Sequence, residues 1–468
     1  MNQENAPAAP KKALNLLDSS MLIMGSMIGS GIFIVSAGMA RELQSPGLLL
    51  LAWIVSGIIT VFGALSYGEL AAAMPQAGGQ YVYLKEAYNP MVAFSYGWTL
   101  FAVIQTGTIA AVGVAFAKFT GVFIPAISDT NYVLELGKFT ISTQQLLAIT
   151  SIGVLSLLNF RDVKTGALVQ NLFTFTKIGA LAAMILLGLY AMLTRPEPLP
   201  EYQPTASPFD LTTVAFLGVF FSAMVGSLFS SDAWNNITFT AGEVQNPQRN
   251  LPLSLIIGTG AVSLIYILSN VIYVNNLPLE SIQKAPADRV ATLLMENILG
   301  PSGAYFMAAM VMVSTFGCLN GIILAGARVY YAMAQDQLFF RPAARLNSNG
   351  VPANALTFQC IWACLLALSG SYGELLDYVM FAVILFYILT IAGVFILRRK
   401  RPDMPRPYKA LGYPVIPIIY LILATAFCIS LLFNKPDFSF RGLIIVLLGI
   451  PFYYLAKIGF AKAEKVRM

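Results

Sequence analysis

The chain is written in long apolar runs separated by short clusters of polar residues, proline or glycine. Ending each run at such a cluster predicts twelve membrane spans, at 19–41, 47–73, 90–118, 143–160, 166–193, 212–240, 251–275, 303–334, 354–370, 374–398, 412–433 and 440–460. About 20 apolar residues of helix cross a hydrocarbon core, and only structures that satisfy their own backbone survive there. The pattern therefore predicts an all-α polytopic membrane protein. The first run lacks a small-residue cleavage site and reads as a retained helix, not a signal peptide.

Composition agrees. Hydrophobic residues make up 57% of the 468 positions and charged residues 11%, against about 25% charged in average soluble domains. The net charge of +6 does not point to nucleic acid, because the basic residues sit beside apolar runs and there set orientation. Eighteen Lys and Arg fall on the side of the termini and eight on the other, with Lys177 and Arg328 inside spans. An even number of spans then puts the tails, 1–18 and 461–468, in the cytoplasm of a multi-pass protein of the cell (inner or plasma) membrane. No histidine is present, and Cys318, Cys360, Cys364 and Cys428 all lie in apolar runs. They read as small buried hydrophobes, and no cofactor or metal site is expected. The external connections, longest near 119–142 and 276–302, hold no soluble domain, so function belongs to the bundle and its mouths.

Two spans carry polar interruptions. In the first, Met24-Gly25-Ser26-Met27-Ile28-Gly29-Ser30-Gly31-Ile32-Phe33 concentrates three glycines and two serines at mid-span. Each glycine weakens a helix by about 1 kcal/mol relative to alanine. Unwinding there exposes amides at the start of a second half-helix, a site for an anion such as a carboxylate. Close packing through Gly25 and Gly29 explains the same letters. The sixth span favours the break over packing alone: Gly226-Ser227-Leu228-Phe229-Ser230-Ser231-Asp232-Ala233-Trp234-Asn235-Asn236 interrupts an apolar run five spans later. Paired interruptions at corresponding places point to a transporter of two inverted repeats with its site at the midplane. An ion channel would need a filter or charge ring. An intramembrane enzyme would need a histidine, HExxH or GxSxG motif. Neither is present.

The chain resembles the amino acid–polyamine–organocation (APC) superfamily and, within it, the L-type amino acid transporter (LAT) family. The resemblance rests on Gly29-Ser30-Gly31-Ile32-Phe33, Tyr67-Gly68-Glu69-Leu70, Pro75-Gln76-Ala77-Gly78-Gly79-Gln80-Tyr81, Glu243 to Pro252, and Ser314 to Gly321, in order along nearly the whole chain. It implies 12 transmembrane helices in a LeuT-like 5+5 inverted repeat with helices 1 and 6 broken. The repeats would be 19–193 and 212–400, with 412–460 outside them. It also implies alternating-access transport of L-amino acids, commonly by sodium-independent exchange. On this resemblance the amides of Ser30, Gly31 and Ile32 would take the substrate carboxylate. The carbonyls of Ile28, Phe229 and Ser230 would take its ammonium, and the Phe229 ring would close over it. A cysteine between spans 3 and 4 pairs animal relatives with a glycoprotein; 119–142 has none, so no disulfide-linked heavy chain is expected.

Two charges lie deep in the membrane. Lys177, about 18 Å into span 5 at 1.5 Å per residue, is too deep to snorkel and costs about 2.5–3.5 kcal/mol there. On the resemblance, in which Thr176-Lys177-Ile178-Gly179 matches a position where sodium-coupled relatives hold a cation, it is expected to join the broken end of span 1 to span 5 in place of sodium. Asp232 stands where similar proteins have glycine. It is protonated, paired with Lys177, or directed at substrate, and the first and third readings leave a proton-coupled or a cationic amino acid/polyamine permease open. Glu69 and Arg328 are expected to form an inner gate with Glu243 and Arg249. Thr106, with Gln105, Gly107 and Thr108, and Asn236 and Asn320 are candidates for the side-chain pocket.

Overall fold

Polar caps start the helices where the chain passes from polar to apolar. The structure is a computed structural model and describes residues 12, 14–76, 78–136, 139–160, 163–194, 214–369 and 372–465. α1 (Leu16–Met27) opens on a capping box: Asn15 Oδ1 accepts from the Asp18 amide at 3.0 Å, and Asp18 Oδ2 accepts from the Asn15 amide at 3.1 Å. It ends in the glycine-rich stretch, and α2 (Gly31–Leu43) resumes bent by 41°. α3 (Pro46–Ala73) and α4 (Pro90–Thr120) each begin with a capping Ser45 or Asn89 followed by proline, whose missing N–H is harmless in a first turn. α4 also contains a π turn at Leu100–Ile104 that periodicity does not predict.

A short helix, Gln80–Ala87, joins α3 to α4, and the further long elements are α5 (Thr143–Leu158), α6 (Val163–Thr194), α7 (Ala215–Ser230), the single turn α8 (Asn236–Phe239), α9 (Pro247–Asn276), α10 (Pro301–Gln335), α11 (Ala353–Ala367), α12 (Tyr372–Lys400), α13 (Val415–Asn434) and α14 (Pro436–Lys465). A hairpin of β1 (Tyr132–Leu136) and β2 (Phe139–Ser142) fills one long connection, and helices Leu279–Gln283 and Val290–Leu299 fill the other.

Among the described residues, eight helices are long and apolar enough to cross a membrane, or nine when the bent pair α1 and α2 counts as one. The spans predicted at 143–160, 212–240 and 354–370 are shorter apolar helices, α5, α7 and α11. The sixth interruption also begins later than predicted. Gly226 to Ser230 remain helical, and the chain leaves the helix at Ser231, with Ala233 at φ 66° before the turn of α8.

Outward faces carry large apolar side chains, with Leu186, Leu193 and Phe433 64%, 77% and 81% exposed, and exposed hydroxyls such as Thr150 and Thr357 donate to carbonyls four residues back. Interior hydroxyls of Thr60, Ser66, Thr108, Thr259 and Thr390 donate to carbonyls four residues back, which lets polar side chains sit inside helices. Small residues bring helices close. α3 runs along α9 with Gly57 against Ser263 and Gly68 against Pro252, and α4 runs along α10. α1 packs among α6, α9 and α10, while α2 lies beside α7.

Candidate functional site

Between α1 and α2 the backbone leaves the helix, so carbonyls ending α1 and amides starting α2 lose intrahelical partners. Side chains supply the carbonyl end. Lys177 of α6, fully buried, donates from Nζ to Gly25 O at 2.7 Å and Ile28 O at 2.8 Å. Ser314 Oγ of α10 adds contacts to Ile28 O at 3.2 Å and Gly29 O at 3.3 Å, and Cys318 Sγ reaches Ser26 O at 3.1 Å. The Tyr266 hydroxyl of α9 lies between Met27 O at 2.9 Å and Ser230 O at 3.1 Å, tying the two breaks together. On the other side Gly31 and Ile32 open α2, and their amides have no acceptor within the helix.

The second break touches the first. A Cβ on Gly31 would collide with the Ser230 hydroxyl, so this position must be glycine for α2 and α7 to meet as they do. Phe229 and Ser230 are buried in the last turn of α7, and the Asp232 amide returns to Phe229 O at 3.1 Å. Asp232 is not paired with Lys177: its Oδ1 accepts from the Tyr387 hydroxyl of α12 at 2.7 Å. Asn235 donates to Gln80 Oε1 at 3.0 Å, and Gln80 donates to Thr390 Oγ1 at 2.9 Å.

One cavity opens beside α2 and α7, and smaller ones reach the second break. A vestibule of about 600 Å³ extends from Arg41, Asp129, Asp377 and Lys435 at its rim to Val35 and Gly226. A second, of about 20 Å³, lies among α4, α8, α10 and α12, lined in part by Gln105, Thr108, Asp232, Asn236 and Tyr387. The opposite end of the bundle is closed by ion pairs. Glu69, nearly fully buried, accepts from Arg398 at 2.9 and 2.6 Å and from the Ala410 amide at 2.8 Å, with Arg406 at 3.3 Å. Glu243 holds Arg328 at 2.9 and 3.3 Å. The backbone of Leu14 bonds on both sides to the segment after α8, at Glu243 O and the Gln245 amide, 3.0 and 2.8 Å.

Several sequence expectations are revised by this geometry. Glu69 and Arg328 belong to two separate clusters, and Arg249 is exposed at the start of α9 and outside the described ion pairs. Ile28 O is occupied by Lys177 and Ser314, so it serves the protein and not a ligand. Thr106 donates to Phe101 O at 2.6 Å inside the π turn, and its neighbours Gln105 and Thr108 line the cavity instead. Asn320 accepts from Asn159 at 2.8 Å and does not line it. Tyr266, Tyr387, Ser314 and Arg398 were missed. The two tyrosines and the serine are polar letters within apolar runs, and Arg398 was counted only as an orienting charge.

The family model for amino acid permeases matches residues 14–453. Among curated proteins, the human large neutral amino acids transporter small subunit 2 is 32% identical over 452 residues, covering 96% of this chain and 81% of the relative. The human b(0,+)-type amino acid transporter 1 is 28% identical, covering 97% and 90% of the two chains. The human cystine/glutamate transporter is 28% identical, covering 95% and 85%.

Proposed function

We propose that this chain, which belongs to the amino acid permease family, is a secondary-active L-amino acid transporter working as a sodium-independent exchanger by alternating access. One observation carries the sodium-independent part: the Lys177 ammonium is already seated on the Gly25 and Ile28 carbonyls. A sodium ion bound at those oxygens would meet a fixed positive charge within a few ångströms in a low dielectric. The amides of Ser30, Gly31 and Ile32 stand at the positive end of α2 and suit a carboxylate. Ile28 O already has two donors, Lys177 and Ser314, whereas Ser230 O has one, Tyr266, and lies with Phe229 O at the negative end of α7; these two carbonyls are assigned the ammonium, under the Phe229 ring.

The repeat reading, 19–193 and 212–400 with 412–460 outside a twelve-span, LeuT-like core, is supported by the pairing of α3 with α9 and α4 with α10, and by breaks in the first and sixth spans. With the termini cytoplasmic in a cell membrane, the vestibule faces outward. The pairs Glu69–Arg398 and Glu243–Arg328 are then the inner gate of an outward-open state. Some relatives are named small subunits, which speaks against a chain working alone. A second subunit would be held without a disulfide in 119–142, where there is no cysteine.

A second reading, a proton-coupled amino acid or cationic amino acid/polyamine permease, is favoured by Asp232, a carboxyl held by Tyr387 within the second break. Proteoliposomes decide between them. Uptake that requires internal amino acid and ignores sodium and pH gradients supports exchange; uptake driven by an inward proton gradient alone supports the second reading and sinks the first.

A further inference from the structure

We infer that the connection between α12 and α13 carries a seat for an anionic phospholipid, whose phosphate lies between Arg399 and Lys409 at the closed end of the bundle. The inference concerns the lipid, and it stands whichever substrate and coupling mode the transporter has.

Lipid-facing side chains fix where headgroups lie. Along α13, Val415, Ile418, Ile422, Ile429 and Phe433 are exposed at helical spacing and form one apolar stripe. Leu411, as exposed as Val415 at 60%, stands just ahead of the helix. Acyl chains therefore lie along α13, and headgroups lie at the level of Lys409 and Leu411.

Charge at that level is one-sided and only partly used by the protein. From Arg398 to Lys409 there are six basic residues and one acidic residue, Asp403. Four of the six are engaged. Arg398 and Arg406 hold Glu69, Arg401 pairs with Glu86 at 2.7 Å, and Lys400 donates to Ala87 O at 3.0 Å. Arg399 and Lys409 are exposed, and neither has an ion pair or hydrogen bond among the described residues. They also flank one carboxylate: Glu69 Oε2 accepts from Arg398 at 2.6 Å and from the Ala410 amide at 2.8 Å, and these donors are their sequence neighbours. Two unpaired cations beside a lipid-facing stripe fit the phosphate of phosphatidylglycerol better than that of phosphatidylcholine, whose own ammonium they repel. Each basic residue near such a surface favours the anionic lipid by about fivefold.

The same connection helps to close the bundle. The Tyr408 hydroxyl donates to Leu65 O at 3.2 Å, its ring lies against Gly68, and the Arg398 guanidinium lies 3.6 Å from the centre of the Tyr413 ring. A phosphate held by Arg399 and Lys409 ties the two ends of this strap together. It stabilises the closed arrangement, because a ligand favours the conformation that it binds better.

Leu411→Trp places an indole at the seat as a probe. The full chain is put in phosphatidylcholine nanodiscs holding a few per cent of a lipid with a nitroxide near the headgroup end of its acyl chain, and the wild-type tryptophan signal is subtracted. Labelled phosphatidylglycerol should quench with at least about fivefold preference over labelled phosphatidylcholine. Arg399→Gln with Lys409→Gln should bring that preference to about one, while Arg399→Lys with Lys409→Arg should retain it. Arg345→Gln, which removes an exposed charge from the α10–α11 connection, should leave it unchanged. Exchanging the bulk lipid for phosphatidylglycerol should raise the melting temperature of the wild type and not of the double glutamine variant. Equal quenching by the two lipids overturns the proposal. So does an equal loss in Arg345→Gln, which means a diffuse surface potential, or an equal rise in melting temperature in the wild type and the double variant.

Discussion

Replacing Lys177 by methionine keeps the length and apolar stem of the side chain and deletes only the ammonium. Two charge-assisted bonds disappear, at 2.7 Å to Gly25 O and 2.8 Å to Ile28 O. Bonds to charged groups contribute about 1.5–3 kcal/mol each, a gross loss of about 3–6 kcal/mol. Against this, the variant no longer carries a charge at membrane depth, which costs about 2.5–3.5 kcal/mol. Ile28 O retains Ser314, while the Gly29 amide that would serve Gly25 O in a helix is turned to Met27 O. The net loss is therefore at most about 3.5 kcal/mol, borne by the contact between α1 and α6. If α1 swings away from α6 when the inner side opens, the variant shifts toward inward-open. The external apparent affinity should weaken, by at most about 300-fold. Exchange by right-side-out and inside-out proteoliposomes measures both sides. Equal apparent affinities for wild type and Lys177→Met on both faces, with the protein folded by size exclusion, would refute the role assigned to this lysine.

Other perturbations test the gates and the break. Glu69→Gln strands Arg398 and Arg406 beside a nearly buried site; removing one partner of a buried pair costs about 3–5 kcal/mol, so a large fall in melting temperature in detergent is expected, and an unchanged one refutes the reading. Arg328→Gln should raise the labelling, by a membrane-impermeant thiol reagent from the inner side, of a cysteine placed at Leu324, one turn before Arg328, because the mostly buried pair with Glu243 no longer seals that path. Gly31→Ala should abolish uptake through collision with Ser230, and Ser230→Gly in the same chain should restore part of it; no recovery points to a different defect. At the rim, burial lowers the pKa of Lys435, but Asp377 and Glu42, at 3.1 and 3.4 Å, outweigh it and raise the pKa above its ordinary value. A raised folded-state pKa stabilises fully below the unfolded value and is lost as pH rises through the folded one. The melting-temperature gap between wild type and Lys435→Met should thus be constant from about pH 6 to 9 and close only above about pH 10.5. A gap that closes near neutrality contradicts this.

Much of the architecture was legible because the bilayer enforces a simple rule, that a spanning segment be apolar and helical. Where the rule weakens, so did the reading. α5 and α11, at 16 and 15 residues, cross less than a full bilayer thickness as straight helices, and their ends depend on neighbours more than on their own composition. The π turn of α4 leaves no mark in hydropathy, yet it is what turns Thr106 to Phe101 O and leaves Gln105 and Thr108 on the cavity. The second break was located in the right segment but several residues early. Gly226 and Ser227 look like an interruption in a list of residues, whereas packing of α7 against α2, with Gly226 close on Val35, keeps them helical.

The amino-acid sequence by itself determined the membrane habit, the orientation bias of the charges, the two interruptions, and Lys177 and Asp232 as charges that hydrocarbon would penalise. Those are properties of single segments, and composition states them. Which atoms meet is a property of segments far apart in the chain, and only the tertiary structure decided it. Lys177 chose the Gly25 and Ile28 carbonyls, 152 and 149 residues away. Asp232 chose Tyr387 over Lys177, Glu69 chose Arg398 over Arg328, and Asn236 came to face a cavity with no partner for its Nδ2 among the described residues. A buried polar group must find a partner, but the sequence says only that the need exists; the packing of helices says who satisfies it.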